Sequence, residues 1–547
     1  MELGIHLTWD LLIEAEKHKD STRFFVPENS SYTPISWNEY AEKVKQITGF
    51  LVSLGVESQE KISILGQNSF NWCVTQLGIQ GARLITVPIY PASQADLLEY
   101  FFEHSDSKIL FCDSSFLPII KNVKKSKIEK IVVLDNKKAN FTSELEMIDF
   151  NEALEIGKNH LKEGEERTKS ASNKDIATII YTSGTTGLPK GVMLTHANLQ
   201  SSSADWIELN GKYVAKNAVD LHWLPLSHTF GSGSIMLGNR LGWQSYFANH
   251  KELIEKLKEI KPHLFLSVPA YWEKIYNLMQ TTDKTDMKKS FDLVTGGRLT
   301  FGLSGGAGLK KEIKEGFFDI DFLIIEGYGL TECSPTLTMN RKDKFNFDTV
   351  GVPYPNVQVK LAEDGEILAK GPNIFIGYYK DENATKNTFD DDGWFKTGDV
   401  GLFTDDGFLK IIDRKKEILV TSGGKNVPPQ NIERMFQDNI YINHFVVYGD
   451  GKKFLTALIT LNETEVRNKL EDKNTEWNEL LKSEKLNSLI KEQVENVNKN
   501  LPSYETIKKF YIYPNQLTVE DSLLTSSLKV RRKAVYEKFK NELEALY

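Results

Sequence analysis

Apolar and polar positions run along this chain in two rhythms. From about Trp37 onward, segments with apolar residues three and four apart alternate with short, continuous apolar runs. The first rhythm predicts helices over 40–52, 72–79 and 97–103. The second predicts strands over 61–65, 84–87, 108–112, 176–181, 221–224, 264–268, 299–303 and 322–325. Such alternation implies βαβ units around mostly parallel, buried sheets, with ligands gathering beyond the carboxyl ends of the strands. The polar stretch 159–174 reads as a connection. After Gly351 the texture changes to short strands, with a hairpin turned at Asp364-Gly365. The last region, beyond Asp413, carries its own hairpin turned at Asp450-Gly451 and helical patterns over 476–497 and 534–546. The expected fold class is α/β: a large N-terminal domain of βαβ subdomains with a β-rich subdomain, then a small α+β C-terminal domain. The expected division is 1–412, a joint at 413–416, and 417–547.

Composition narrows the function. With 547 residues, 40% of them hydrophobic, the chain can build several cores. A formal net charge of −8 argues against general nucleic-acid binding, which needs a basic surface. Cys73, Cys112 and Cys333 form no C-x-x-C pair, so neither a zinc site nor a disulfide framework is expected. The start, Met1-Glu2-Leu3-Gly4-Ile5-His6, lacks the pattern of a signal peptide, and no apolar run reaches membrane-spanning length. The expected location is the cytoplasm, with peripheral contact at the inner face of a membrane left open.

Three segments carry candidate chemistry. The first reads Tyr181-Thr182-Ser183-Gly184-Thr185-Thr186-Gly187-Leu188-Pro189-Lys190-Gly191, directly after a buried strand. Glycines let backbone N–H groups approach an anion, and hydroxyls and Lys190 add donors and charge, so a phosphate cradle is expected rather than a flexible surface turn. Pro189 excludes a Walker loop. The second is Glu326-Gly327-Tyr328-Gly329-Leu330-Thr331-Glu332, where a strand-end carboxylate can meet Mg²⁺. Taken alone, Glu332 reads as a solvated acid. The third is Trp394-Phe395-Lys396-Thr397-Gly398-Asp399, where a loop carboxylate suits a ribose diol, or serves only as a turn residue.

In this order the segments resemble the adenylate-forming superfamily of acyl-CoA synthetases, peptide-synthetase adenylation domains and luciferases, from about Trp37 to Arg532. Within it the chain is most similar to the long-chain fatty-acid–CoA ligases. That likeness is carried by Gly191-Val192-Met193-Leu194-Thr195-His196, Leu224-Pro225-Leu226-Ser227-His228, Val268-Pro269-Ala270-Tyr271-Trp272, Ser304-Gly305-Gly306-Ala307 and the run from Asp413 through Gly423-Gly424-Lys425.

The resemblance implies an enzyme with a mobile C-terminal domain that uses ATP, Mg²⁺ and coenzyme A, or the phosphopantetheine of an acyl carrier protein, on a medium- to long-chain fatty acid. It places Thr182, Ser183, Gly184, Thr185, Thr186, Gly187 and Lys190 on the ATP phosphates, and Thr185 and Glu332 on Mg²⁺. Gly306, Glu326, Gly327 and Tyr328 would frame the adenine, and Thr331 would face the α-phosphate. Asp399 and Arg414 would hold the ribose, and His228 would sit where the acyl carboxylate enters. Lys416 would lie near the hinge and Gly423 and Gly424 along the thiol channel. Lys529 would be the catalytic lysine, neutralising the repulsion between carboxylate and α-phosphate.

The sequence departs from the family pattern at Gly231, at Ser526 and in the short stretch between Tyr276 and Ser304. Rival readings are a serine hydrolase with its elbow at Gly302-Leu303-Ser304-Gly305-Gly306, and a non-catalytic nucleotide or lipid sensor. A carrier protein would want a basic patch, which Arg531, Arg532, Lys533, Lys538 and Lys540 could form.

Overall fold

Helix Trp37–Ser53 shows how the apolar rhythm becomes structure. Ser36 caps it by accepting a hydrogen bond from the Glu39 N–H, and Tyr40, Val44, Ile47 and Leu51 fill one buried face. The computed structural model describes residues 6–28, 31–138, 145–182, 188–283, 285–437, 439–518, 521–524 and 530–547. The chain forms two compact units. The first comprises Met1–Lys360, Leu368–Thr397 and Phe403–Lys410; the second comprises Leu361–Ile367, Gly398–Leu402 and Ile411–Tyr547.

The first unit contains two large sheets. One has eight strands in the order Glu146–Asp149, Lys130–Val133, Ile109–Cys112, Lys61–Leu65, Ile85–Ile89, Ile176–Thr182, Lys190–Thr195, Gly377–Tyr378. It is parallel as far as Ile176–Thr182 and antiparallel beyond. The other has nine strands. Its parallel middle runs Ile324–Tyr328, Phe301–Ser304, Leu264–Ser267, Val219–His222, Gln244–Phe247 and Thr22–Glu28. Strand Thr22–Glu28, its antiparallel neighbour Ser31–Ser36 and helix Leu7–His18 precede the region in which the sequence rhythm is clear.

Residues 159–174 correct the expectation of a plain connection, because Leu161–Lys169 is a helix. Only Gly164 and Thr168 of it are buried. It packs through a close backbone approach: a Cβ on Gly164 would lie 3.1 Å from the Gly49 nitrogen. No apolar stripe is needed for that contact, so none marks it in the sequence. The helical pattern over 476–497 is likewise two helices, Trp477–Leu480 and Glu484–Asn498, the second capped by Ser483.

The second unit is built around a sheet of Ile442–Tyr448, Leu455–Leu461 and Ile507–Tyr513, with helix Glu484–Asn498 contributing Leu486, Ile490 and Val494 to its core. The hairpin at Asp364-Gly365 forms as expected between strands Gln358–Leu361 and Glu366–Lys370, with Gly365 at φ +81°. Among the described residues, no helix is long and apolar enough to cross a membrane.

Candidate active site

Strands Ile176–Thr182 and Lys190–Thr195 pair antiparallel, with Tyr181 opposite Gly191 and Thr182 opposite Lys190. They are the two stems of the glycine- and threonine-rich segment. Ser183, Gly184, Thr185, Thr186 and Gly187 themselves lie outside the described residues. Helix Ala95–Ser105 grips both stems from one face, using residues four apart. The Tyr100 hydroxyl donates to the Pro189 carbonyl at 2.8 Å, and His104 Nδ1 lies 2.8 Å from the Tyr181 hydroxyl. Burial pushes the Tyr181 phenol well above its usual range, while burial foremost and then Lys380 lower the His104 pKa. Both groups are therefore neutral where they share this hydrogen bond.

Lys190 faces a second strand contact. Gly377–Tyr378 pairs with Lys190–Thr195, and the Lys190 ammonium stands 4.9 Å from the centre of the Tyr378 ring. The Tyr378 hydroxyl donates to Glu332 Oε1 at 2.9 Å. Burial, followed by the Glu332 charge, raises the Tyr378 pKa, so the phenol stays protonated and donates. Glu332 sits on the single turn Thr331–Cys333, anchored where its carbonyl accepts from the Phe375 N–H at 2.9 Å. Thr331 is buried beside it. The fold thus brings Glu332 to the Thr182–Lys190 pair, which lies some 140 residues earlier in the sequence. It adds Tyr378, which the sequence reading passed over. The tandem tyrosines Tyr378-Tyr379 were visible, but no local spacing ties them to Glu332.

Glu326 is engaged otherwise. It lies in strand Ile324–Tyr328 at 3% exposure and pairs with the equally buried Lys314 at 2.5 Å. Its other oxygen accepts from the Leu309 N–H at 2.9 Å. Its side chain is fixed where the parallel pairing of the strand ends, while Gly327 and Tyr328 continue the strand in an antiparallel pairing. Gly306 follows strand Phe301–Ser304 at φ +84°, and a Cβ there would meet only Val268, at 3.9 Å. Ser304 is wholly buried within that strand, paired with Ser267 and Glu326, and is not an exposed elbow nucleophile.

His228 caps helix Thr229–Leu241: its Nδ1 accepts from the Phe230 N–H at 3.2 Å. In the neutral ring the proton then resides on Nε2. Gly231 has a local cause, because a Cβ there would lie 2.1 Å from the Pro225 carbonyl oxygen. The departure from bulkier residues at this position reflects the tight approach of the helix to the preceding turn.

The second unit carries a separate group. Asp399 belongs to strand Phe395–Phe403 rather than to a loop, is 4% exposed, and pairs with Arg414 at 3.2 Å. Neighbouring Lys415 binds Glu366 and Asp364 at 2.7 and 2.6 Å, and Lys416 is exposed. Gly423 and Gly424 form the tip between strands Leu419–Val420 and Asn426–Val427. Arg532 is 9% exposed and paired with Glu433 and Glu417, so it supplies no surface patch. Lys529 lies outside the described residues.

Comparison with known proteins shows the family of the chain. The sequence profile of the AMP-binding enzyme family matches residues 13–379, and that of the AMP-binding enzyme C-terminal domain matches 416–547. The long-chain-fatty-acid–CoA ligase FadD15 of Mycobacterium bovis is 30% identical, over 94% of this chain and 92% of its own. The long-chain-fatty-acid–CoA ligase 5 of Rattus norvegicus is 27% identical, over 95% and 85%. In fold, the chain is similar to the anthranilate CoA ligase AuaEII crystallised with anthranoyl-AMP, with a TM-score of 0.79 at 19% identity over 98% of both chains. The chain belongs to the AMP-binding enzyme family and is an AMP-forming acid–thiol ligase.

Proposed function

We propose that this enzyme activates a medium- to long-chain fatty acid with ATP and passes it to the thiol of coenzyme A. The observation that carries this reading is the Lys190–Tyr378–Glu332 arrangement at the stems of the phosphate-loop segment. A cation from Lys190 and a carboxylate from Glu332, held on either side of one phenol, suit a triphosphate and its counter-ion. Mg²⁺ fits Glu332, since this ion keeps water and phosphate oxygens and needs few protein ligands. When bound it would neutralise phosphate charge, with Thr185 as a further ligand. Thr182, Ser183, Gly184, Thr186, Gly187 and Lys190 hold the phosphates, and Thr331 faces the α-phosphate. Gly306, Gly327 and Tyr328 border the adenine, to which Glu326 contributes backbone, its carboxylate being taken by Lys314. Asp399 and Arg414 hold the ribose.

In the first step a carboxylate oxygen, oriented by His228 Nε2–H, attacks the α-phosphorus and pyrophosphate leaves. Lys529 offsets the charge that builds between them. In the second step the coenzyme A sulfur attacks the acyl carbon and AMP leaves, with Gly423 and Gly424 lining the thiol's approach. Residues 413–416 act as the hinge between 1–412 and 417–547. Coenzyme A is preferred over an acyl carrier protein because the relatives are named as CoA ligases and Arg532 is withdrawn from the surface.

Pyrophosphate release with butanoate, decanoate and hexadecanoate tests the reading, each acid with coenzyme A, with holo-carrier protein, and with neither. Acid-dependent release favouring the longer acids, with thioester formed on coenzyme A, is expected. Release without acid, or thioester on the carrier protein alone, would sink it. Two variants separate the steps. Lys529→Ala should slow adenylation about 10²–10³-fold and spare transfer from supplied acyl-adenylate, whereas Lys416→Pro should harm transfer more than adenylation.

A further inference from the structure

Asn68 lies just beyond strand Lys61–Leu65 of the eight-stranded sheet, yet its side chain is spent on the turn that follows strand Val219–His222 of the nine-stranded one. Its Nδ2 donates to the Trp223 carbonyl at 3.1 Å and to the Leu224 carbonyl at 2.8 Å. Its Oδ1 accepts from the Leu226 N–H at 3.0 Å. Both donors and the acceptor of one amide therefore bind three residues of a single turn.

That turn delivers His228. The His228 N–H donates to the Pro225 carbonyl at 3.0 Å, and the helix that His228 caps rests on the same carbonyl through Gly231. On the far side of this turn, a Cβ on Gly305 would lie 3.3 Å from the Phe230 ring. A shift of the 223–226 backbone would thus move the imidazole and Phe230 as one body. The helix that follows, Phe70–Gly81, is capped not by Asn68 but by the neighbouring Ser69, which accepts from the Trp72 N–H.

We propose that Asn68 is a positioning residue for acid binding: it locks the turn that aims His228 Nε2–H at the substrate carboxylate. The proposal rests on the reading of His228 given above. A misaimed donor weakens the ground state that contains the acid and leaves the nucleotide contacts alone. Losing the lock is therefore a defect in acid affinity.

The test is a double-mutant cycle of Asn68→Ala and His228→Ala, with decanoate as the probe. Decanoate binding is measured by calorimetry, and pyrophosphate release gives the KM for decanoate and for ATP. Asn68→Ala should raise the decanoate Kd and KM about tenfold and leave the ATP KM within about twofold. On the His228→Ala background the same change should have almost no effect on decanoate binding. Equal rises in both KM values, or a loss of full size without His228, would overturn the proposal. If His228→Ala itself leaves decanoate binding intact, the reading of His228 is what fails. If His228→Ala weakens binding but Asn68→Ala does not, Asn68 has no positioning role. Should Asn68→Ala not fold, Asn68→Asp carries the cycle, since it keeps the acceptor for Leu226 and loses both donors. Failure of both variants to fold would make Asn68 a structural residue and end the proposal.

Discussion

Glu326 and Glu332 stand in one short segment, and the fold uses them in opposite ways. Glu326 is sealed into the first unit, its two oxygens matched by Lys314 and the Leu309 N–H. Glu332, half-buried, meets the neutral phenol of Tyr378. A buried carboxylate paired with a buried ammonium has its charge cancelled, and it can do little beyond fixing the strand end. A carboxylate that accepts from a neutral donor keeps its charge for something else. Two acids alike in sequence context therefore divide into one that holds the loop and one equipped to act from it.

This division is broken most forcefully at Lys314. Lys314→Met would strand the Glu326 carboxylate in an apolar strand end, at a cost of about 3–5 kcal/mol in stability. Denaturant unfolding should register that loss, and the double variant Lys314→Met/Glu326→Leu should recover most of it. A stability change under about 1 kcal/mol in the single variant would mean that the pair does not hold the strand end.

Glu332→Gln should behave in the reverse manner. Unfolding should shift by less than about 0.5 kcal/mol, because the partly exposed side chain keeps its size and an acceptor for Tyr378. Adenylation should fall about a hundredfold, as it does when one charged group facing a transition state is removed. An unfolding loss comparable to that of Lys314→Met, with near-normal turnover, would place Glu332 in the same class as Glu326 and abolish the contrast.

The two sheets were legible in the sequence because buried parallel strands are continuous apolar runs, as at Lys61–Leu65 and Leu264–Ser267. The helix Leu161–Lys169 was not, because a glycine contact against Gly49 replaces an apolar stripe. At the candidate site, the glycine- and threonine-rich segment stood out by composition next to a strand end, while Glu332 stood out only through the family resemblance. Their partners did not. Tyr378 reaches Glu332, and Asn68 reaches the 223–226 turn, by side-chain contacts from the eight-stranded sheet to segments that follow strands of the nine-stranded one, which leaves no local spacing to read. For the same reason the burial of Glu326 was invisible: Lys314 meets it from the facing helix Lys311–Phe318, and its charge in the sequence looks like any other.

The finest test of the contrast removes one oxygen atom. Tyr378→Phe keeps the ring beneath the Lys190 ammonium and deletes only the donor to Glu332. If that hydrogen bond orients the carboxylate for Mg²⁺, its loss should raise the Mg²⁺ concentration for half-maximal adenylation about tenfold, the size usual for partners of a metal ligand. Turnover at saturating Mg²⁺ should return to nearly the original rate, because the ligand itself remains. In the Glu332→Gln background the same deletion should leave the Mg²⁺ dependence unchanged, since there is no longer a charged carboxylate to orient. A fall in turnover that no amount of Mg²⁺ restores would assign the phenol to Lys190 and the phosphates instead. The acid that acts would then differ from the acid that holds by its exposure alone, and not by its partner.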